Sequence, residues 1–275
     1  MAAEKRIVFG IPRHDMVIVG TTDTDYSGAQ ENVTTEPEDV KYLLSIVKQY
    51  FPGIKVQASD IVASYAGVRP LVQDESESEG KTSREHTIFT DLSGVTFMAG
   101  GKYTTYRLMA EQAVGHCLKH FPIEDRVRFN FVNTATPINP LITTESFSDL
   151  SEVHRAFSST KLSSQEMTWL VERHGAEAEQ MISELTIADT YSTLEARHAI
   201  ENTMCMNLLD FYARRVPFIL SRKDHGLSEL DKVVQVFKEA LFLSDSEIQS
   251  QKQELRDYIK KEFRWRERLG VDTSP

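Results

Sequence analysis

The chain has 275 residues, 40% of them hydrophobic and 26% charged. That is enough for one or two domains with a buried core, and it excludes collagen-like, low-complexity and intrinsically disordered classes. A formal charge of −10 at pH 7 gives a field that repels phosphate backbones, so general nucleic-acid binding is disfavoured. Two cysteines far apart in sequence, Cys117 and Cys205, exclude a disulfide framework, a CxxC redox motif and a zinc ribbon, and they suit a reducing cytoplasm. Met1 to Gly10 lacks an apolar core of signal-peptide length. No window approaches the ~18 apolar residues of a membrane helix, so any membrane contact is expected to be peripheral.

The first half reads as short strands separated by turn residues. Arg6 to Pro12 and Met16 to Gly20 flank the turn Arg13-His14-Asp15 and predict an antiparallel hairpin. Thr35 with Glu38 has the spacing of a capping box. Val40, Leu43, Leu44, Val47 and Phe51 then repeat at helical spacing until Pro52-Gly53 ends the run. Further strands are expected at Asp60 to Tyr65, His86 to Thr90 and Val95 to Met98, the last two joined through Leu92-Ser93-Gly94. Gly100-Gly101 leads into a helix from about Thr104 to His120.

From about Arg126 the pattern changes to helices. Ser163/Glu166, Ser192/Glu195 and Ser244/Glu247 each have capping-box spacing ahead of an amphipathic run. The expected division is therefore 1–126 and 127–275. The fold class is α+β, with antiparallel strands first and an all-α domain after. The acidic run Asp74 to Glu79 reads as a solvated loop.

Most familiar catalytic patterns fail on spacing. Asp23-Thr24-Asp25 lacks the context of a phosphatase nucleophile, and Thr34 stands where an EF-hand loop needs its bidentate glutamate. Its aspartates are read as turn caps. Of eight histidines, only His116 and His120 share a helix face at i, i+4, with no glutamate between them, so no metal set is read there. There is no GxSxG elbow for serine chemistry.

The stronger constellation is cationic. Gly67-Val68-Arg69-Pro70 places an arginine at a strand end with its exit direction fixed by proline, and Arg84 begins another strand after a polar loop. Gly100-Gly101-Lys102-Tyr103-Thr104-Thr105-Tyr106-Arg107 delivers a lysine and two hydroxyls to a helix N-terminus. Unpaired N–H groups and a point charge there favour an anion. Together Arg69, Arg84 and Lys102 predict a phosphate or carboxylate pocket.

These stretches resemble the FAD-dependent glycerol-3-phosphate dehydrogenases. The carrying residues are Ile18 to Tyr26 (IVGTTDTDY), Tyr42-Leu43-Leu44, Tyr50-Phe51-Pro52, Tyr65 to Leu71 (YAGVRPL), Ser83-Arg84-Glu85 and Gly100 to Arg107 (GGKYTTYR), with Glu195 to Arg215 similar to the family's helix ending in paired arginines. No GxGxxG occurs, so the ADP-binding fingerprint is missing. The resemblance implies the C-terminal portion of such an enzyme, inactive without an N-terminal flavin-binding half that also carries the general base. It implies that residues to about 126 complete the substrate-binding sheet and the last strand-helix of the flavin domain, with a helical cap after them.

By the same resemblance, Gly100, Gly101, Lys102, Thr104 and Thr105 lie against FAD. Arg69, Arg84 and Lys102 hold sn-glycerol 3-phosphate, with Arg69 and Lys102 serving catalysis. Electrons pass to quinone, and the protein is cytoplasmic with a peripheral place on the inner face of the cytoplasmic membrane. A basic helix from Lys252 to Arg268 with Leu255, Tyr258, Ile259, Phe263 and Trp265 interleaved is a candidate membrane contact. Docking of that helix on the cap domain is the competing expectation. Two other readings are a non-catalytic helical interaction module and the substrate domain of an amine or amino-acid oxidase.

Overall fold

The computed structural model describes residues 7–13, 15–68, 85–128, 161–175, 177–186 and 189–271. Contacts group residues 1–67 with 140–275 as one compact unit and 68–139 as another. This grouping follows packing, whereas the division at 126/127 follows sequence character. Most of the regular structure is helical, with two small antiparallel sheets, so the expected α+β class holds.

In the first unit, β1 (Phe9–Arg13) pairs with β2 (Met16–Gly20) in the register Phe9↔Gly20 to Arg13↔Met16, the expected hairpin. Helix α1 (Pro37–Tyr50) begins later than Thr35/Glu38 suggested. Pro37 takes the first helical position, where its missing N–H costs nothing, and the Asp39 carboxylate accepts the Glu36 N–H at 3.1 Å. The capping pair is therefore Glu36/Asp39.

The strand expected at Asp60 to Tyr65 does not form. Asp60 closes a 3₁₀ turn (Ala58–Asp60), and residues 61–68 join neither sheet. Their polar groups find side chains instead: Arg266 Nη2 donates to the carbonyls of Ile61 and Val62 at 2.7 and 2.9 Å, and Trp265 Nε1 donates to Ser64 Oγ at 2.8 Å. An apolar, β-branched run has thus been satisfied by helix side chains rather than by a neighbouring strand.

The rest of this unit is α-helical. Helices α4 (Ser164–His174), α5 (Glu177–Ser183) and α6 (Tyr191–Thr203) precede a short α7 (Leu208–Asp210) that continues as a π turn over Phe211–Arg215. Then come α8 (Phe218–Ser221), α9 (Leu230–Leu241), α10 (Asp245–Glu262) and α11 (Arg264–Leu269). The second unit holds β3 (His86–Thr90), β4 (Thr96–Gly100), α2 (Tyr106–Leu118) and α3 (Ile123–Arg128).

Ser163/Glu166 and Ser244/Glu247 are true capping boxes: each serine Oγ accepts the glutamate N–H, and each glutamate carboxylate accepts the serine N–H at 2.8 Å. Ser192/Glu195 is not. Thr190 caps α6 through Thr193, while Ser192 and Glu195 are buried inside the helix. Nor do Glu195 to Arg215 form one helix. Met204 enters the left-handed region (φ 54°) at the end of α6, and Asn207 caps a new helix by accepting the Asp210 N–H at 2.7 Å. The core gathers Leu170, Leu208, Phe211, Tyr212, Val233, Phe237 and Leu255, all fully buried. Phe211 meets Phe218 and Phe237 edge-on at 5.9 and 5.8 Å.

In the second unit, β3 and β4 pair from His86↔Gly100 to Thr90↔Thr96. The turn between them is held by Asp91 Oδ1, which accepts the N–H groups of Ser93 and Val95 at 2.9 and 3.0 Å. Phe89 and Phe97 stack across the strands at 5.2 Å. Helix α2 packs on both strands, beginning after a 3₁₀ turn, Tyr103–Thr105.

Candidate functional site

The strand-to-helix turn that the sequence marked for an anion is built around two glycines. Gly100 and Gly101 sit at φ 77° and 85°, a region that favours glycine. A Cβ at Gly101 would also lie 2.6 Å from Met109 Sδ and 3.1 Å from His86 Cβ. Glycine is therefore strongly favoured where strand β4 reverses into the helix. Thr105 locks the turn by donating both its N–H, at 3.0 Å, and its Oγ1, at 2.9 Å, to the Lys102 carbonyl. Lys102, Tyr103 and Thr104 are left exposed in front of the first helical turn, whose first N–H, that of Tyr106, donates back to the Tyr103 carbonyl. The Lys102 ammonium pairs with no described carboxylate, whereas Arg107 is engaged by Glu111 at 3.4 Å. Lys102, Thr104 and the helix start thus present positive potential to solvent.

The structure brings Gly100, Gly101, Lys102, Thr104 and Thr105 into this one turn. Arg69 and Arg84 lie outside the described residues, as does the acidic run at 74–79. His116 and His120 are no metal pair: both Nε2 atoms reach Thr90 Oγ1, at 3.0 and 3.2 Å, which ties α2 to β3. Asp23 and Asp25 are exposed in an irregular loop.

Sequence reasoning missed a buried polar network in the helical part. Glu195 is 2% exposed and accepts Arg173 Nε at 2.9 Å and His174 Nε2 at 3.0 Å, with Tyr191 also against it. Burial works against its charge, but the hydrogen bond from His174 and the charge of Arg173 outweigh that and hold its carboxyl below the ordinary 4.5. Arg173 is secured further by the Arg215 carbonyl. A signal was present in the sequence: Tyr191, Glu195 and Ala199 fall on one stripe at i, i+4, so the glutamate occupies the buried face. Cys205 is fully buried, and burial pushes its thiol up to about 11, which makes it a packing residue.

The basic helical region is docked. Leu255, Phe263 and Trp265 are buried, and Tyr258 and Ile259 pack against the core. Its cations hold other segments: Lys261 donates to the Glu31 carbonyl at 2.8 Å, Arg264 to Thr34 Oγ1 at 3.0 Å, and Arg268 pairs with Glu36. No described helix is long and apolar enough to cross a membrane.

Residues 2–107 match the family model described as FAD dependent oxidoreductase, and residues 143–248 match that of the C-terminal domain of alpha-glycerophosphate oxidase. The alpha-glycerophosphate oxidase of Streptococcus pyogenes serotype M3 is 27% identical over 92% of this chain and 52% of its own length. The aerobic glycerol-3-phosphate dehydrogenase of Staphylococcus haemolyticus is 28% identical over 97% and 50%. The chain is similar to these flavoproteins over both matched regions.

Local similarity rises to 43% over 109 residues against the aerobic glycerol-3-phosphate dehydrogenase of Bacillus subtilis, which is 40% of this chain and 20% of that protein. The fold is shared with a crystal structure of the glycerol-3-phosphate dehydrogenase from Bacillus halodurans complexed with FAD. That match has a TM-score of 0.69 at 22% identity and covers 94% of this chain and 52% of that one. The chain spans about half the length of the relatives it matches. The Gly100-Gly101-Lys102 turn falls inside the oxidoreductase match, and the Glu195 network falls inside the C-terminal-domain match.

Proposed function

We propose that this chain supplies the substrate-binding and helical-cap portion of a flavoenzyme that oxidises sn-glycerol 3-phosphate to dihydroxyacetone phosphate. The observation that carries the reading is the Gly100-Gly101-Lys102 turn inside the oxidoreductase match, followed by the glycerophosphate-oxidase C-terminal domain. We keep 1–126 as the substrate- and flavin-side region and 127–275 as the cap.

The turn suits a flavin cofactor. Its glycines bring backbone close, and Lys102 and Thr104 are exposed at the start of the helix, a donor set that fits an electron-rich ring edge. Gly100, Gly101, Lys102, Thr104 and Thr105 would hold FAD, which when bound supplies the acceptor for the hydride on the substrate's secondary carbon. Arg69, Arg84 and Lys102 bind the dianionic phosphate end. Lys102, beside the cofactor, and Arg69 stabilise the charge that grows on the substrate oxygen as hydride leaves. The proton of that hydroxyl goes to a base in the N-terminal half of the enzyme. The acceptor we assign is quinone, reached from the inner face of the cytoplasmic membrane. Relatives named as oxidases make oxygen the second acceptor to test.

The experiment is co-expression of this chain with an N-terminal half bearing the flavin fingerprint, followed by dye reduction driven by sn-glycerol 3-phosphate, with Arg69→Ala and Lys102→Ala in parallel. Activity lost in both variants, with flavin retained, supports the reading. A flavin-loaded complex that reduces no dye refutes it and favours the interaction-module or amine-oxidase reading. Quinone-analogue reduction measured against peroxide production assigns the acceptor. Co-sedimentation with anionic vesicles tests the membrane location.

A further inference from the structure

We infer that the helical part carries a binding site for one divalent transition-metal ion of the zinc class, formed by His174, Glu177 and His198. The three residues come from separate helices. His174 closes α4, Glu177 opens α5 after the turn at Gly175, and His198 lies within α6. One ligand atom from each lies within 4.8 Å of the other two. The imidazole rings meet edge to face with centroids 4.4 Å apart, and His198 Nε2 stands 2.9 Å from Glu177 Oε2.

The chemistry of the donors selects the ion. Two imidazole nitrogens and one carboxylate oxygen suit zinc, cobalt or nickel, whereas calcium and magnesium require oxygen sets. Three protein ligands leave a fourth, solvent-facing position, because the Glu177 side chain is 66% exposed.

The surroundings prepare the first ligand. Glu195 is held by Arg173, and its Oε2 accepts from His174 Nε2 at 3.0 Å, so that nitrogen carries the proton that joins them. With its Nε2–H directed at Glu195, His174 presents Nδ1 as a lone pair of fixed orientation. This is the carboxylate–histidine–metal arrangement that orients ligands in metal proteins. Arg173 neutralises Glu195, so the charge offered to a cation is that of Glu177. The C-terminal carbonyls of α4 add negative potential at His174.

Closure is modest. Ligands about 2.0–2.1 Å from a tetrahedral zinc lie roughly 3.3 Å apart, so no gap needs to contract by more than about 1.5 Å. The exposed Glu177 chain can make that movement. To coordinate through Nε2, His198 carries its proton on Nδ1, so the metal takes the place of the hydrogen bond to Glu177. The occupied site would clip the α4–α5 turn to α6, independently of the proposed oxidoreductase activity.

The test uses the full chain freed of metal by a chelator and titrated calorimetrically with Zn²⁺, with Co²⁺ as spectroscopic probe. One Zn²⁺ per chain, tetrahedral Co²⁺ absorption bands, and at least tenfold weaker binding in both His198→Ala and Glu177→Gln are expected. The His116→Ala/His120→Ala double variant should bind as the native chain does. Substoichiometric Zn²⁺, binding unchanged in His198→Ala, binding lost in the His116/His120 variant, or equal affinity for Ca²⁺ would each overturn the assignment. Circular dichroism of each variant shows that it is folded, so a null titration counts against the site.

Discussion

Glu195→Gln should be among the most destabilising isosteric changes in the helical part. The carboxylate is buried and accepts from Arg173 twice, at 2.9 and 3.4 Å, and from His174 at 3.0 Å. Removing one member of such a pair usually costs about 3–5 kcal/mol, because a charge is left buried without its partner. Here Arg173 is 19% exposed on its side chain and keeps the Arg215 carbonyl, so the lower end applies, about 3 kcal/mol. For a domain of this size that is roughly 6–12 °C in Tm. Urea and thermal unfolding followed by far-UV circular dichroism measure both. Since the folded pKa of Glu195 is below 4.5, its contribution is fully present above that pH and is lost as pH falls through the lowered value. The native chain should therefore lose stability faster than Glu195→Gln on acidification below pH 4.5. A cost under about 1 kcal/mol, or parallel acid profiles, would refute the view that this network holds α4 to α6.

Other expectations follow from the geometry. His225 is buried, stacks on Phe263 at 4.5 Å and donates Nδ1–H to the Ile219 carbonyl, and burial lowers its pKa below 6.5. The unfolded chain then binds the proton more readily, so the urea midpoint should drop as pH falls below 6.5. His225→Asn, which tolerates the left-handed φ of 56°, should flatten that slope. Gly101→Ala should destabilise by about 1–3 kcal/mol through positive φ and the Met109 contact, and adding Met109→Ala should restore only part of the loss in a thermal melt. Lys102→Ala, with no described carboxylate partner, should move Tm negligibly while abolishing dye reduction in the reconstituted enzyme. Trp265→Phe loses the bond to Ser64 and should cost about 1–2 kcal/mol, readable as a fall in urea midpoint.

What the sequence made legible was whatever chemistry acts over a few residues. The serine–glutamate boxes at 163/166 and 244/247, the two hairpins and the Gly100-Gly101 turn all depend on neighbours three to five positions away, and all formed. Pro37 displaced the start of α1 by a local rule that the Thr35/Glu38 spacing obscured. The larger departures involve distant partners. Asp60 to Tyr65 looks like a strand until Trp265 and Arg266 satisfy Ile61, Val62 and Ser64. Ser192/Glu195 looks like a cap until Arg173 and His174 arrive from another helix. At the candidate site, Lys102 and its glycines were readable as a turn. The meeting of His174 with His198 was not, because it depends on how three helices pack.

The clasp between residues 31–64 and residues 261–268 bears on synthesis. Its hydrogen bonds join groups separated by roughly 200 positions, so the early segment cannot be satisfied until the ribosome has delivered the far one. At the usual 5–20 residues per second that interval is roughly 10–40 s. Throughout it the Ile61–Ser64 backbone emerges with open donors and acceptors and an apolar, β-branched composition, which makes it a candidate client for chaperones on the nascent chain.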